Sequence, residues 1–298
     1  ASGLAFWLNV NNVTNTNTSD YATGTMVLLG SLTLSVTDET NNYPAGYFAG
    51  FVVSSGLFSA GLVHSITITT YLDNVEQEDY LAVDLVGLSS SILAGPIQIG
   101  FVTTLPFDEV EIHIDDLLGA GIYHVHHAVI EQFCAGPLLS CNVETQLNAP
   151  SFPVTIDYAN TGSGGVSVGT VDDAEDAISA STTDYASLIN VASVLGSTFL
   201  TVEEQVVDYP AGTYVGFDIE NLNILGAGVL NFITITSYLN DVQQQVIAGP
   251  ALLAGAPALS SSGRHTVGFV TNTAVDKVKI TVAQPAGVSL GTTRVYGA

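Results

Sequence analysis

The sequence predicts an all-β chain made of two tandem antiparallel β-sandwich domains of the jelly-roll or immunoglobulin-like kind. The first observation behind this is a domain-sized duplication. Asn42-Tyr43-Pro44-Ala45-Gly46 returns as Asp208-Tyr209-Pro210-Ala211-Gly212, Ile66-Thr67-Ile68-Thr69-Thr70-Tyr71-Leu72 as Ile233-Thr234-Ile235-Thr236-Ser237-Tyr238-Leu239, and Gly100-Phe101-Val102-Thr103 as Gly268-Phe269-Val270-Thr271. The matches stay in order, and their spacing drifts only from 166 to 170 residues. A solenoid repeats every ~20–50 residues and cannot bury a core in one unit, whereas each of these copies is long enough to do so. The second observation is period-two alternation of apolar and polar residues, which puts one face of each strand in a core and the other in water. The third is that no long stretch carries a 3.6-residue period with caps.

Taken in order, Ser31 to Thr37, Ile66 to Thr70 and Val110 to Ile114 alternate in the first copy, and Phe232 to Thr236 and Val278 to Val282 in the second. Asp73-Asn74 and Asn240-Asp241 supply turns, as do the Tyr-Pro-Ala-Gly segments. Leu57 to His64 and Leu222 to Leu230 could each hold a short helical turn. The predicted divisions are a first sandwich over 1–128, a connector over 129–164 and a second sandwich over 165–298. Gly121 to Ala128 aligns with Gly291 to Ala298, so the chain stops where its first copy stops. That register predicts a slice of a longer array, or a subunit completed by a neighbour. Pro150-Ser151-Phe152-Pro153-Val154-Thr155-Ile156 reads as an entering strand stiffened by prolines. The first copy shows no equivalent strand, which predicts an open sheet edge that a neighbouring unit's strand would close.

The formal net charge is -24, from 28 Asp plus Glu against four Lys plus Arg. This excludes nucleic acid as a partner, since phosphate contacts need cations, and disfavours anionic membranes. All four cations, Arg264, Lys277, Lys279 and Arg294, lie in the last 35 positions, while residues 1–128 hold 13 Asp plus Glu and no Lys or Arg. The cationic end of copy two could therefore dock on an anionic face of another unit. Leu85 to Phe107 is uncharged, but its serines, Gly95, Pro96 and Gln98 argue against a membrane helix.

Cys134 and Cys141 flank six residues that include Gly and Pro, which suits a small disulfide loop and an oxidising, extracellular setting. Asp172, Asp173, Glu175, Asp176 and downstream Asp184 offer oxygen ligands of the kind Ca²⁺ takes, although without an EF-hand pattern, and a solvated acidic loop is the alternative. Glu109, Glu111 and His113 share one strand face, and His124 another with His126, beside His127, so a Zn²⁺ or Cu²⁺ site is conceivable. The second copy has Lys277, Lys279 and Thr281 opposite the first trio, and Arg294 and Tyr296 opposite the histidine pair. Such exchange argues for a polar packing or interface surface instead. No serine elbow, H-E-x-x-H or P-loop is present, so no catalytic role is expected.

The Tyr-Pro-Ala-Gly, Gly-Phe, Ile-Thr-Ile-Thr-x-Tyr-Leu, Gly-Phe-Val-Thr and Gly291-Thr292-Thr293-Arg294-Val295-Tyr296-Gly297-Ala298 motifs resemble repeat units of very large surface proteins of Bacteroidota-type bacteria. The resemblance covers both copies and the connector, and implies a secreted, cell-surface, adhesin-like array. A fainter likeness to galactose-binding jelly rolls rests on the acidic stretch before Asp184-Tyr185-Ala186. Two functions are thus expected from the sequence. The leading one is a structural component of an extracellular fibre or adhesin, partnered by copies of itself and stiffened where calcium binds. The other is a carbohydrate-binding module that takes surface glycans, for which Trp7, Tyr47, Tyr123 and Tyr214 are the suggestive aromatics.

Overall fold

The computed structural model describes residues 4–27, 30–54, 66–82, 93–94, 96–116, 121–165, 169–190, 196–221, 230–253, 264–284 and 291–298. It divides into two compact units, one of residues 1–91 and 95–133, the other of residues 92–94 and 134–298. The helical turn expected at Leu57 to His64 lies outside the described residues. Of the other, only Leu230 is described, in a 3-10 turn over Leu230–Phe232.

In the first unit, strands β1 (Ala5–Leu8), β2 (Ala22–Met26), β3 (Gly30–Thr37), β4 (Tyr47–Ser54), β5 (Ile66–Leu72), β6 (Val75–Leu81), β8 (Pro96–Val102), β9 (Glu109–Asp116) and β10 (Gly121–Gln132) form two antiparallel sheets. Their orders are β1-β2-β10-β4-β8 and β3-β9-β5-β6. From β2 to β5, and again from β6 through β8 and β9 to β10, successive strands cross between the sheets, while β1–β2 and β5–β6 are same-sheet neighbours; this is the double Greek key of a jelly roll. Leu32, Leu34, Ile66, Ile68, Ile112 and Ile114 from one sheet and Phe51, Val53, Ile99 and Val125 from the other are buried, which is what the alternation predicts.

The second unit repeats the plan. Strand β7 (Leu93–Ala94) belongs to it and runs parallel to β13 (Gly169–Asp172). With β14 (Ala186–Asn190), β16 (Tyr214–Glu220), β19 (Arg264–Val270) and β21 (Gly291–Gly297) they form a sheet ordered β19-β16-β21-β14-β13-β7. The facing sheet is ordered β11-β15-β20-β17-β18, with β12 also paired to β15. Its strands are β11 (Val154–Ile156), β12 (Gly162–Gly165), β15 (Gly196–Glu204), β17 (Ile233–Leu239), β18 (Val242–Ala248) and β20 (Lys277–Gln284).

The repeated motifs explain one another. The Tyr-Pro-Ala-Gly loop docks on the end of the Gly-Phe-Val-Thr strand: Gly46 N–H donates to Thr103 O at 2.7 Å, and Gly212 N–H to Thr271 O at 2.8 Å. Gly46 and Gly212 sit at φ 93° and 91°, where a side chain would be strained. Gly50 lies opposite Gly100, and Gly216 opposite Gly268, because a Cβ at either position would collide with the neighbouring strand's backbone. The Asp73-Asn74 and Asn240-Asp241 pairs have positive φ at both residues, the two-residue hairpin geometry that matches strand twist. Each hairpin is held by a carboxylate from the adjacent strand's start, Asp108 to Asp73 N–H and Asp276 to Asn240 N–H.

Candidate functional site

The same place on the outer face of the sheet carries a stack of planar groups in each unit. In the second unit Tyr185, just before β14, Arg294 and Tyr296 on β21, Glu220 and Asp218 on β16, and Arg264 on β19 come together. The Arg294 guanidinium lies 4.6 Å from the centroid of Tyr185, and that of Arg264 lies 3.7 Å from Tyr296, close enough for cation–π attraction. The two tyrosine rings are 5.3 Å apart. Arg294 and the Tyr296 hydroxyl both donate to the Glu220 carboxylate, at 3.0 and 2.7 Å, and hold it below the ordinary carboxylate range, the hydroxyl contributing most. Arg264 pairs with Asp218 through two nitrogens. The Arg294 side chain is 42% exposed, so the stack meets solvent.

In the first unit Tyr21 stands where Tyr185 does, and His124 and His126 replace Arg294 and Tyr296. Tyr21 stacks on His124 with centroids 4.1 Å apart and meets His126 edge-on at 5.4 Å. His126 Nε2 lies 2.7 Å from the Ser54 hydroxyl. Burial, helped by His127 and His124, lowers the His126 pKa, so at neutral pH this ring is an uncharged partner. Tyr21 itself is 39% exposed. A bulge between Val125 and His127 on β10 breaks the strict alternation and leaves His126 buried.

A second cluster belongs to the other sheet of the second unit. Lys277 at the start of β20 is 4% exposed, with its ammonium 2.7 Å from Asp157 and 3.4 Å from Glu203, and in contact with Asp241. Burial pulls its pKa down, but the carboxylates outweigh this and hold it above the usual lysine value. Glu203 is pushed up to about 7 by burial, against the opposing pull of Lys277. Lys279 lies 4.0 Å over the Phe199 ring, and burial lowers its pKa. All four cations expected at an interface are thus engaged inside the second unit.

The other expected sites are placed as follows. Cys134 and Cys141 are exposed free thiols, so the disulfide inferred from their spacing is not formed. Asp172 ends β13, Asp173 adopts φ 53°, and Glu175 accepts from the Tyr158 hydroxyl at 2.7 Å. Burial, with Asp184 and Asp173 nearby, raises the Asp176 pKa. His113 bonds the Thr33 hydroxyl at 2.9 Å and approaches Asp115 at 3.2 Å, and Glu111 receives the Tyr71 hydroxyl at 3.4 Å. Glu109 lies across from Tyr71. Among the described residues, no three His, Cys, Asp or Glu side chains are grouped to hold a metal, so neither the calcium set nor the histidine sets are gathered.

Of the suggested aromatics, Tyr123 is core and Trp7 donates its indole N–H to Thr33 O at 2.9 Å. Tyr47 packs on Tyr43, and burial, with Glu144 nearby, pushes the Tyr214 hydroxyl up to about 12. Tyr21 was not among the aromatics that the sequence suggested, nor was Tyr185, although Asp20-Tyr21-Ala22 returns as Asp184-Tyr185-Ala186. Among the described residues no helix is long and apolar enough to cross a membrane.

No family model and no curated protein matches the chain. Solved structures similar to it include the following three. A fucolectin from striped bass serum is 10% identical, with 99% of this chain and 95% of that one covered and a TM-score of 0.28. The tandem CBM22-1–CBM22-2 domain of Paenibacillus barcinonensis Xyn10C is 11% identical over 92% and 78%, at 0.21. The M60 catalytic domain with CBM51-1 and CBM51-2 of Clostridium perfringens ZmpB is 10% identical over 92% and 33%, at 0.20. Superpositions this loose leave the functional reading to the residues themselves.

Proposed function

We propose that this is an extracellular binding protein whose two jelly-roll units take glycans on their outer sheet faces, without catalysing a reaction. The observation that carries this reading is the tyrosine kept at one place in both units, each beside planar nitrogen groups, with Tyr21 exposed and Tyr185 half-buried under an Arg294 side chain that meets solvent. A pyranose has an apolar C–H face suited to an aromatic ring, and hydroxyls suited to carboxylates and guanidinium donors at its edge. Glu220 and Asp218 supply acceptors in the second unit, Arg294 and Arg264 donors. The first unit offers imidazoles and Ser54, so the two faces differ in charge and are expected to prefer different sugars. On a glycan array the intact protein should bind a defined subset of glycans, and Tyr185→Ala should lose part of it. An array with no signal, or one unchanged in the Tyr21→Ala/Tyr185→Ala double variant, would overturn this reading.

Assembly into a surface fibre is the second reading, and a specific feature favours it. Among the described residues β3 forms the outer edge of its sheet, with no strand beyond it.

A further inference from the structure

The two units solve the same edge differently. Strands β3 and β15 occupy equivalent places, and both begin Gly-Ser. In the second unit β15 is covered on its outer side by β11, with Val154, Thr155 and Ile156 opposite Glu204, Glu203 and Val202, and by β12, with Gly162 to Gly165 opposite Phe199 to Gly196. The turn between them closes over Thr201, whose N–H donates to the Thr161 hydroxyl at 3.0 Å and whose C=O accepts from Asp157 N–H at 3.0 Å. Thr201 is fully buried as a result. Its counterpart Ser35 on β3 is exposed. Trp7 touches this edge at Thr33, which leaves Ser35 to Thr37 open among the described residues.

Beside this open stretch lies a cleft of about 360 Å³, walled by Val13, Thr14, Val36, Thr37, Asp38 and Ile130. In the second unit the corresponding residues of the 3-10 turn and of β15 are covered by the chain from Ala149 to Ile156. There Ala149 N–H donates to Ile178 O at 2.8 Å, Gln205 N–H donates to Pro153 O at 2.9 Å, and Phe152, Val154 and Ile156 are buried at 5%, 3% and 6% exposure. The cleft and the open edge of the first unit are therefore one vacancy, matching one filled segment of the second.

We infer that this vacancy is an acceptor site for an extended peptide strand: the entering segment of a neighbouring repeat unit, apolar at alternate positions like Phe152, Val154 and Ile156, added antiparallel to β3. Backbone hydrogen bonds to the edge would give affinity, and the cleft would select the side chains. Charge narrows the choice further. Where the second unit pairs Asp157 with Lys277, the first has Glu109 in place of the lysine, and Thr37 in place of Glu203. The incoming strand should hence carry a basic residue at the position of Asp157. This inference rests on the assembly reading and is independent of the glycan faces.

The test uses fluorescein-labelled peptides of residues 147–160, unchanged and with Asp157→Lys, titrated against the full chain by fluorescence anisotropy. The Asp157→Lys peptide should bind saturably and about tenfold more tightly than the unchanged one, the ratio that ~1.4 kcal/mol of charge reversal produces. Ser35→Pro should abolish binding, since it removes an N–H that faces the open side and proline is tolerated on an edge strand. The same variant should keep whatever glycan binding the protein has, so the two readings fail separately. Absence of saturable binding by either peptide, or binding that survives Ser35→Pro, would overturn the inference. Dimers of the free chain that the peptide cannot dissociate would also overturn it, by showing a second copy as the occupant.

Discussion

Replacing Lys277 by methionine is expected to lower the stability of the second unit by about 3–5 kcal/mol, the cost of removing one partner from a buried ion cluster. The aliphatic stem is kept, so little packing is lost. What remains is Asp157 at 8% side-chain exposure and Glu203 at 27%, both deprived of the ammonium that neutralised them. Asp241, 80% exposed, can turn to water and adds little. The loss should appear in denaturant unfolding as a shifted transition for one unit, with that of the other unmoved. Asp157→Asn in the same background should then cost less than it does in the unmodified chain, because the carboxylate has already lost its partner. A shift below about 1 kcal/mol would mean that the lysine is solvated in solution.

Glu203 gives the second large effect, and its sign is opposite. Its folded pKa of about 7 lies above the ordinary glutamate value of 4.5, so the folded state binds the proton more tightly than the unfolded one. The stability contributed by that proton is fully present below 4.5, and is lost as pH rises through about 7. Glu203→Gln should therefore raise the melting temperature of the second unit at pH 8, by the equivalent of roughly 2 kcal/mol, and leave it almost unchanged at pH 4. Equal effects at both pH values would show that Glu203 does not titrate in this window.

These residues show where sequence reading reaches and where it stops. Val110, Ile112 and Ile114 were legible as core because period-two alternation is a property of the strand itself, and Asp73-Asn74 because two-residue hairpins demand positive φ. The duplication, read off Tyr-Pro-Ala-Gly and Gly-Phe-Val-Thr, gave the common plan of both halves. Lys277 was not legible as a buried charge. Its alternation assigns it to a watery face, yet it is buried among Glu203, Asp241 and Asp157, the last of them 120 residues away in sequence. The bulge that buries His126 is likewise a register event with no local signature. Cys134 and Cys141 had a suitable spacing for a disulfide, but a spacing does not bring two sulfurs together, and both stand free. The Asp172 to Asp176 run supplied ligand chemistry without convergence, since Glu175 is taken by Tyr158. The planar stacks on the outer sheet faces were half legible: Arg294, Tyr296, His124 and His126 stood out, while Tyr21 and Tyr185, which they flank, did not.

The contrast between a closed and an open edge on the same jelly roll is tested most directly by amide hydrogen exchange on the intact protein. Thr201, whose N–H bonds Thr161 under the covering segment, should exchange slowly, near the rate set by unfolding of its unit. Ser35, at the equivalent place on β3, should exchange at least about a hundredfold faster, as an exposed edge amide does. Equal strong protection at both positions would contradict the account.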